Sequence, residues 1–457
     1  MKTNLNNILS SVLLFSISIT TSPLILINTS VKPLSIIFGL LLTFSFILSG
    51  KKIIFNTVDW LVLSFTSLLF FRQLTAFGNT DIFISSYFKG ETYNNDIFIA
   101  AISVLTFGIQ YFSFRMAFIC LGIFKSMNVI VGSLTISSFF SIFQFFAYIF
   151  DSTLVFHNIT SFFSSSAIVW EGRSRGLAFE PSWLASQLTV ICIPILMYRV
   201  LIVRNHAVFF TLGSTRFRSE WFLLVINMLG LVLTFSRAGI IAASLSFLIA
   251  LLYLFKNAFT LRNILLMTIV ILSGILVITS ATKNAYFSSL VTGIEQGNNI
   301  REVFIFSNAG PRYAAWESAI DSFKSNPLFG VGLGLQHRFF AAHPPSWSVN
   351  LPEVKSWISN NLPDKANAKN LLFRLAAEGG GIAVLLWFLI WLYAYRILKN
   401  KMLFWMALPA LLIDQFSLDS LSLAALPLFL AILNGGVVNE NKRNHNKLQY
   451  GKRIFEN

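Results

Sequence analysis

The chain is 457 residues long, 55% hydrophobic and only 12% charged, with 48 Phe and a net charge of +15. Soluble domains carry a charged fraction nearer 25%, so the composition excludes a water-soluble globule and indicates an all-α integral membrane protein. Cys120 and Cys192 lie in apolar stretches and form neither a disulfide framework nor a ligand cluster, which leaves them as packing residues.

Apolar runs suited to crossing a bilayer, roughly 17 to 25 residues each, fall near 8–28, 33–49, 53–71, 96–114, 127–150 and 181–203. Six more lie near 220–235, 238–256, 263–281, 370–395, 402–416 and 418–434. Met116 to Phe124 is apolar but short, either an interfacial helix or an extension of the fourth run, so the expected count is about 12 (11 to 13). No basic region with a short apolar core and a small-residue cleavage site opens the chain, so the first run is read as a retained span.

Charge tests the orientation. With both termini cytoplasmic, nineteen of the 34 basic residues fall on that face, among them Lys51, Lys52, Arg115, Lys125 and Arg199. Of the acids, only Asp59, Glu220, Glu440 and Glu456 join them, so the whole net charge sits on one side, as short cytoplasmic loops require. The basic balance is then a mark of topology and not of nucleic-acid binding.

Outside the membrane the first distinctive stretch is Glu171 to Ser186, EGRSRGLAFEPSWLAS. Pro181 suits a first helical turn, so a helix is expected to start at Glu180 or Pro181. Its free N–H groups, with Arg173 and Arg175 upstream, would make an anion site; alternatively the arginines pair with Glu171 and Glu180 in an ordinary loop. Next comes TFSRAG, a tight turn carrying Ser236 and Arg237. The connection from about 282 to 369 is far longer than ordinary loops, a length that usually marks function. Within it Pro311 to Phe323 has Tyr313, Trp316, Ile320 and Phe323 at helical spacing, the pattern of a helix lying along the outer membrane surface. Trp347, Trp357, Phe339 and Phe340 could stack on sugar rings or pack on the bilayer. Gly330, Gly332 and Gly334 lack a strand-loop-helix setting and are read as backbone turns, not as a nucleotide fingerprint. Arg374 and Glu378, at i, i+4 in one predicted span, suit a structural ion pair.

In this order GLAFEPSWLA, TFSRAG, R-x-x-x-W followed by NPLFGVGLG, and KNLLFRLAAEGGG resemble the O-antigen polymerase and ligase superfamily, over Arg173 to Gly381. The E-P-S sequence after an arginine pair is most similar to polymerases of the Wzy type. Ligases of the superfamily typically carry a His-Asn pair where the long outer segment re-enters the membrane; here that place reads Lys369-Asn370, although His337 or His343 could substitute in space. The resemblance implies a membrane glycosyltransferase of GT-C type in the bacterial inner membrane, with its active site facing the periplasm and acting on undecaprenyl-diphosphate-linked oligosaccharide. It implies no cofactor, and as possible partners a chain-length regulator and a flippase; the external loops carry no acidic D-x-D-like pair, which fits a transferase needing no divalent metal. The alternatives are an O-antigen ligase acting on lipid A core and, from another class, a polysaccharide flippase or transporter, which should show repeated halves and charges lining a path.

The chemistry follows from the residues. Charge developing on a diphosphate leaving group needs cations, and arginine matches phosphate oxygens in two-point contact. Arg237 and Arg312 are the first candidates, with Arg173, Arg175, Ser236, Arg338, His343, Lys369 and Asn370 as further substrate-binding candidates. Glu180 is the candidate general base, with His337 and His343 as alternatives; capping its own helix and neutralising Arg173 or Arg175 is the competing role for Glu180. The expected layout is N-terminal spans over 1–170, a transmembrane core over 171–281, a large periplasmic loop over 282–369, C-terminal spans over 370–434 and a basic cytoplasmic tail over 435–457.

Overall fold

The computed structural model describes residues 2–25, 31–76, 87–164, 172–200, 208–212, 215–257, 285–362, 364–366, 368–398, 401–418 and 420–435. The predicted span 263–281, Glu171 and the basic tail lie outside them. The N-terminal bundle comprises α1 (Lys2–Phe15), α2 (Ser35–Leu48), α3 (Thr57–Ala76), α4 (Tyr93–Leu121) and α5 (Ile123–Ile149), preceded at α4 by the hairpin β1 (Tyr87–Phe88) and β2 (Glu91–Thr92). Then come α6 (Thr153–Ser161), α7 (Pro181–Tyr198), the hairpin β3 (Val208–Leu212) and β4 (Thr215–Arg218), α8 (Ser219–Leu233) and α9 (Arg237–Asn257). Five short helices follow: α10 (Ala285–Gln296), α11 (Ile300–Phe306), α12 (Gly310–Ser325), α13 (Gln336–Ala342) and α14 (Pro352–Ile358). The chain then enters α15 (Leu371–Ile397), α16 (Met402–Ser417) and α17 (Ala425–Gly435). Helices α4, α5, α7 and α15 are long and apolar enough to cross a membrane, and α2, α8, α9, α16 and α17 contain shorter apolar helices. This is an all-α multi-pass membrane protein.

Every expected apolar run within the described residues overlaps a helix, but some boundaries move. The first run does not stay helical to 28: α1 ends at Phe15 and a tight turn, Ser16–Ser18, follows. The Ser and Thr cluster there offers the backbone other partners, as when Ser16 Oγ donates to the Leu13 carbonyl at 2.8 Å. Met116 to Leu121 extends α4, and the break comes at Gly122, whose φ of 77° only glycine adopts without strain. Arg115 and Asp59, expected as cytoplasmic surface charges, are buried within α4 and α3. They pair in two contacts of 3.1 Å each, and Tyr111 Oη and Asn434 Nδ2 donate to the same carboxylate at 2.7 and 2.9 Å. A buried charge persists only when paired and fully hydrogen-bonded, and this network ties α17 to the N-terminal bundle.

Helix α7 is the central element, with residues 183–197 buried throughout. A helix apolar on most of its surface must be surrounded by others; α7 packs against α16, α8, α9 and α5. A widened π-helical turn at Leu188–Cys192 precedes Pro194, which has no N–H to return to Val190.

The glycine-rich motifs explain one another. Gly380 breaks α15 with φ of 69°, and the backbone of the 327–332 loop occupies the gap. Val331 and Gly332 donate to the carbonyls of Ala377 and Glu378 at 2.8 and 3.0 Å, and Gly381 donates to that of Pro327 at 2.8 Å. A Cβ on Gly330 would sit 2.4 Å from the Glu378 carbonyl carbon, so this approach requires glycine. Broken helix backbone is tolerated at membrane depth when protein satisfies it.

Helix α12 forms where the pattern predicted one, and Tyr313 and Trp316 of its aromatic stripe pack against Phe304, ring centres 5.3 and 5.1 Å apart. Its buried face is Ala314, Ala315, Ser318, Ala319 and Ser322, and Ile320 is 39% exposed. Small side chains let α12 approach α15 closely enough for Ser322 Oγ to meet the Ala377 carbonyl at 3.3 Å. Phe340 and Trp357 are buried in a small core with Ala314 and Ala315, and Trp347 packs against it. These aromatics are core, not a sugar platform.

Candidate active site

A cavity of about 1170 Å³ opens where the starts of α7, α9 and α12 converge with the 365–374 segment and the end of α16. Its walls carry six cations, Arg173, Arg237, Arg312, Lys365, Lys369 and Arg374, against three carboxylates, Glu91, Glu180 and Asp414. Ser236 lines it as well.

The loop before α7 is held rigidly. Arg175 is 2% exposed, and its guanidinium donates to Ser164 Oγ and the Ala178 carbonyl, each at 3.1 Å. Burial pushes that guanidinium down to about 10. Arg175 thus shapes the loop and does not line the cavity. Gly176, with φ of 56°, brings the loop against the Ser137 carbonyl, and Leu177 N donates to Ser137 Oγ at 3.1 Å. Arg173 reaches the other way, donating from Nε to the Thr234 carbonyl at 3.1 Å, and Ser174 N donates to Leu233 O at 2.9 Å. The two sequence motifs are therefore joined directly at the cavity rim.

Glu180 occupies the N-cap position of α7 in an extended conformation, and Pro181 begins the helix as expected. Its carboxylate makes no capping bond and, among the described residues, no ion pair with Arg173 or Arg175; it accepts only from Ser182 Oγ at 3.0 Å. Helix α9 starts beside it. Ser236 Oγ accepts from Gly239 N at 3.3 Å, a serine N-cap, and a Cβ on Gly239 would come within 2.8 Å of Ala185 Cβ. That close approach sets Arg237, in the first turn of α9, next to the start of α7. Phe235 holds φ of 47° to complete the turn.

Arg312 lies in the first turn of α12 and has no side-chain hydrogen bond or ion pair among the described residues. One turn on, Trp316 Nε1 donates to the Ala368 carbonyl at 2.7 Å and fixes the backbone beside Lys369. Lys369 holds φ of 44°, a costly conformation for a side chain other than glycine and one that clusters at functional sites. Asn370 is fully buried and caps α15 by accepting from Phe373 N at 3.1 Å, so it positions Lys369 and does not face the cavity. Arg374 pairs with Glu378 at 2.9 Å, the expected i, i+4 contact.

The histidines are elsewhere. His337 is buried with Nε2 at 3.4 Å from Asp96 Oδ2, and Arg338 Nε contacts the same oxygen at 2.6 Å. Lys365, on the cavity wall, contacts Asp96 Oδ1 at 2.9 Å and Glu91 at 2.7 Å. His337 and Arg338 therefore anchor α13 to α4 beneath the wall. His343 is exposed and rests on Phe339, ring centres 4.9 Å apart. Asp96, Lys365 and Asp414 were missed by sequence reading; the groups they meet lie far away in the chain.

The helical bundle thus encloses a cavity walled mostly by cations, groups that pair with anionic oxygens. Residues 222–388 match the model of the O-antigen ligase family, which places that segment in the O-antigen polymerase and ligase superfamily, membrane glycosyltransferase-like enzymes of polysaccharide assembly. No curated protein matches the chain. The matched segment takes in Arg237, Arg312 and Lys369 and leaves Glu180 and Asp414 outside.

Proposed function

We propose that the protein is a Wzy-type polymerase, moving a growing glycan from undecaprenyl diphosphate onto the next lipid-linked repeat unit at the periplasmic face of the bacterial inner membrane. One observation carries the reading: Arg237 and Arg312, far apart in sequence, start two helices at one cavity with Glu180 and Lys369 on its wall. Two guanidiniums beside helix N-termini match a leaving diphosphate, whose charge they offset as the anomeric bond breaks. Arg173 and Lys369 extend the basic wall toward the rest of the donor. Glu180, held only by Ser182, orients the incoming sugar by accepting from its hydroxyl groups.

Polymerase is favoured over ligase because Lys369 stands where a ligase histidine is expected, and no histidine lines the cavity among the described residues. Surface polysaccharide from cells lacking the gene, run on a gel, separates the two. A polymerase defect removes the long ladder and keeps a single-repeat band. Loss of every substituted band, with polymer stranded on its lipid carrier, would establish a ligase instead, and an unchanged profile would favour transport.

A further inference from the structure

Asp414 is the one cavity carboxylate that sequence reading left inside an apolar run. It stands in the last turn of α16, is 7% exposed and lines the cavity. Its neighbour Gln415 is fully engaged, accepting from Trp387 Nε1 at 2.7 Å and donating to Leu411 O at 3.2 Å. Asp414 has no cation opposite it among the described residues; the group facing it is the buried hydroxyl of Ser186 on α7, which has no hydrogen bond of full geometry. Taking a carboxylate out of water without a cation costs several kcal/mol, by order of magnitude, and in membrane proteins such groups mark functional positions.

Position along α7 gives the role. Ser182, Ser186 and Thr189, at spacings of four and three, form the cavity face of that helix. Glu180 sits at its mouth, and Asp414 faces it about 9 Å deeper at the helical rise of 1.5 Å per residue. We infer that Asp414 is the general base, taking the proton of the acceptor hydroxyl, while Glu180 at the mouth orients the acceptor sugar. This rests on the transferase reading above, and it divides between two carboxylates a task the sequence assigns first to Glu180. In the step, the acceptor oxygen bonds to the donor's anomeric carbon as its O–H bond breaks, and the proton passes to the Asp414 carboxylate. The electron pair of the breaking C–O bond leaves with the diphosphate, held by Arg237 and Arg312, and the proton is then released to water.

The test uses the full-length protein in lipid nanodiscs with undecaprenyl-diphosphate-linked oligosaccharide, measuring turnover at saturating donor and donor affinity separately. General-base loss typically costs about 10²–10⁴-fold. Asp414→Asn is expected to lose at least about 100-fold in turnover with donor affinity and melting temperature unchanged, and Asp414→Glu to regain part of it. Glu180→Gln should raise the acceptor KM more than it lowers kcat. Near-normal turnover in Asp414→Asn, or affinity falling in step with turnover, overturns the assignment. In the wild type, carbodiimide-driven amine labelling of Asp414, read by mass spectrometry, should be blocked by the lipid-linked substrate; equal labelling with and without it also overturns the assignment. If the wild-type protein joins no sugars at all, the transferase reading fails instead.

Discussion

Two polar clusters divide this membrane protein. At one, Asp59, Arg115, Tyr111 and Asn434 close on one another, with Asp59 fully buried and Arg115 1% exposed. At the other, Arg237, Arg312, Glu180 and Asp414 face a cavity of about 1170 Å³. Both cost desolvation; the first recovers it in a closed ring of protein hydrogen bonds, while the second lines an open cavity. The difference teaches how polar groups divide in an apolar chain: a charge closed in by protein groups holds helices together, and one on a cavity wall is placed to meet a ligand.

Breaking the closed cluster should give the largest effect on folding. Asp59→Ala leaves Arg115 buried without its counter-charge, at a cost of about 3–5 kcal/mol. The expected outcome is loss of folded protein from the membrane fraction, measured by detergent-solubilised yield and melting temperature; normal yield would mean that the cluster is not a structural tie. Arg237→Ala and Arg312→Ala should do the opposite. Membrane levels should stay normal while polymer formation falls roughly 10²–10³-fold, the usual loss for one transition-state contact, and a normal polymer ladder in either variant would remove that residue from the site.

Between these lies the α15 break. Gly380→Ala places a Cβ 2.3 Å from the Leu328 carbonyl carbon at a left-handed position. It should cost at least about 1–2 kcal/mol and loosen the 327–332 loop, seen as faster amide exchange there. The smallest effect is expected at the surface pair Arg301 and Glu317, 3.0 Å apart with Arg301 47% exposed. Arg301→Ala should shift stability by only about 0.2–1 kcal/mol and leave polymer length unchanged. His343→Ala, at an exposed ring resting on Phe339, should likewise leave the ladder intact.

What was legible in the sequence was local. Pro181 after Glu180, the TFSRAG turn, the start of α12 and the pairing of Arg374 with Glu378 all depend on residues within a turn or two. Arg237, Glu180 and Lys369 were readable as candidates because each is a charge at the end of an apolar run, and Arg312 because it opens a helical pattern in the long outer connection. Their meeting at one cavity was not readable, since it depends on Gly239 packing on Ala185 and on Trp316 tying α12 to Ala368. Asp96 illustrates the limit: its partners Arg338 and Lys365 are 242 and 269 residues away. The face of α12 that meets its partner helix was not legible because that helix is broken at glycine and admits only small side chains, so the aromatic stripe packs instead on Phe304 and Phe373. The acidic end of α16 was overlooked because a single Asp in an apolar helix has no pattern of its own.

The most direct test of the central claim is the affinity of the wild-type protein, Arg237→Ala and Arg312→Ala for undecaprenyl diphosphate, titrated in nanodiscs of neutral lipid. If the cavity holds the diphosphate, each substitution weakens binding at least about tenfold, near the net worth of one charge-assisted hydrogen bond. Equal affinity in all three proteins would contradict the account and move the substrate site elsewhere.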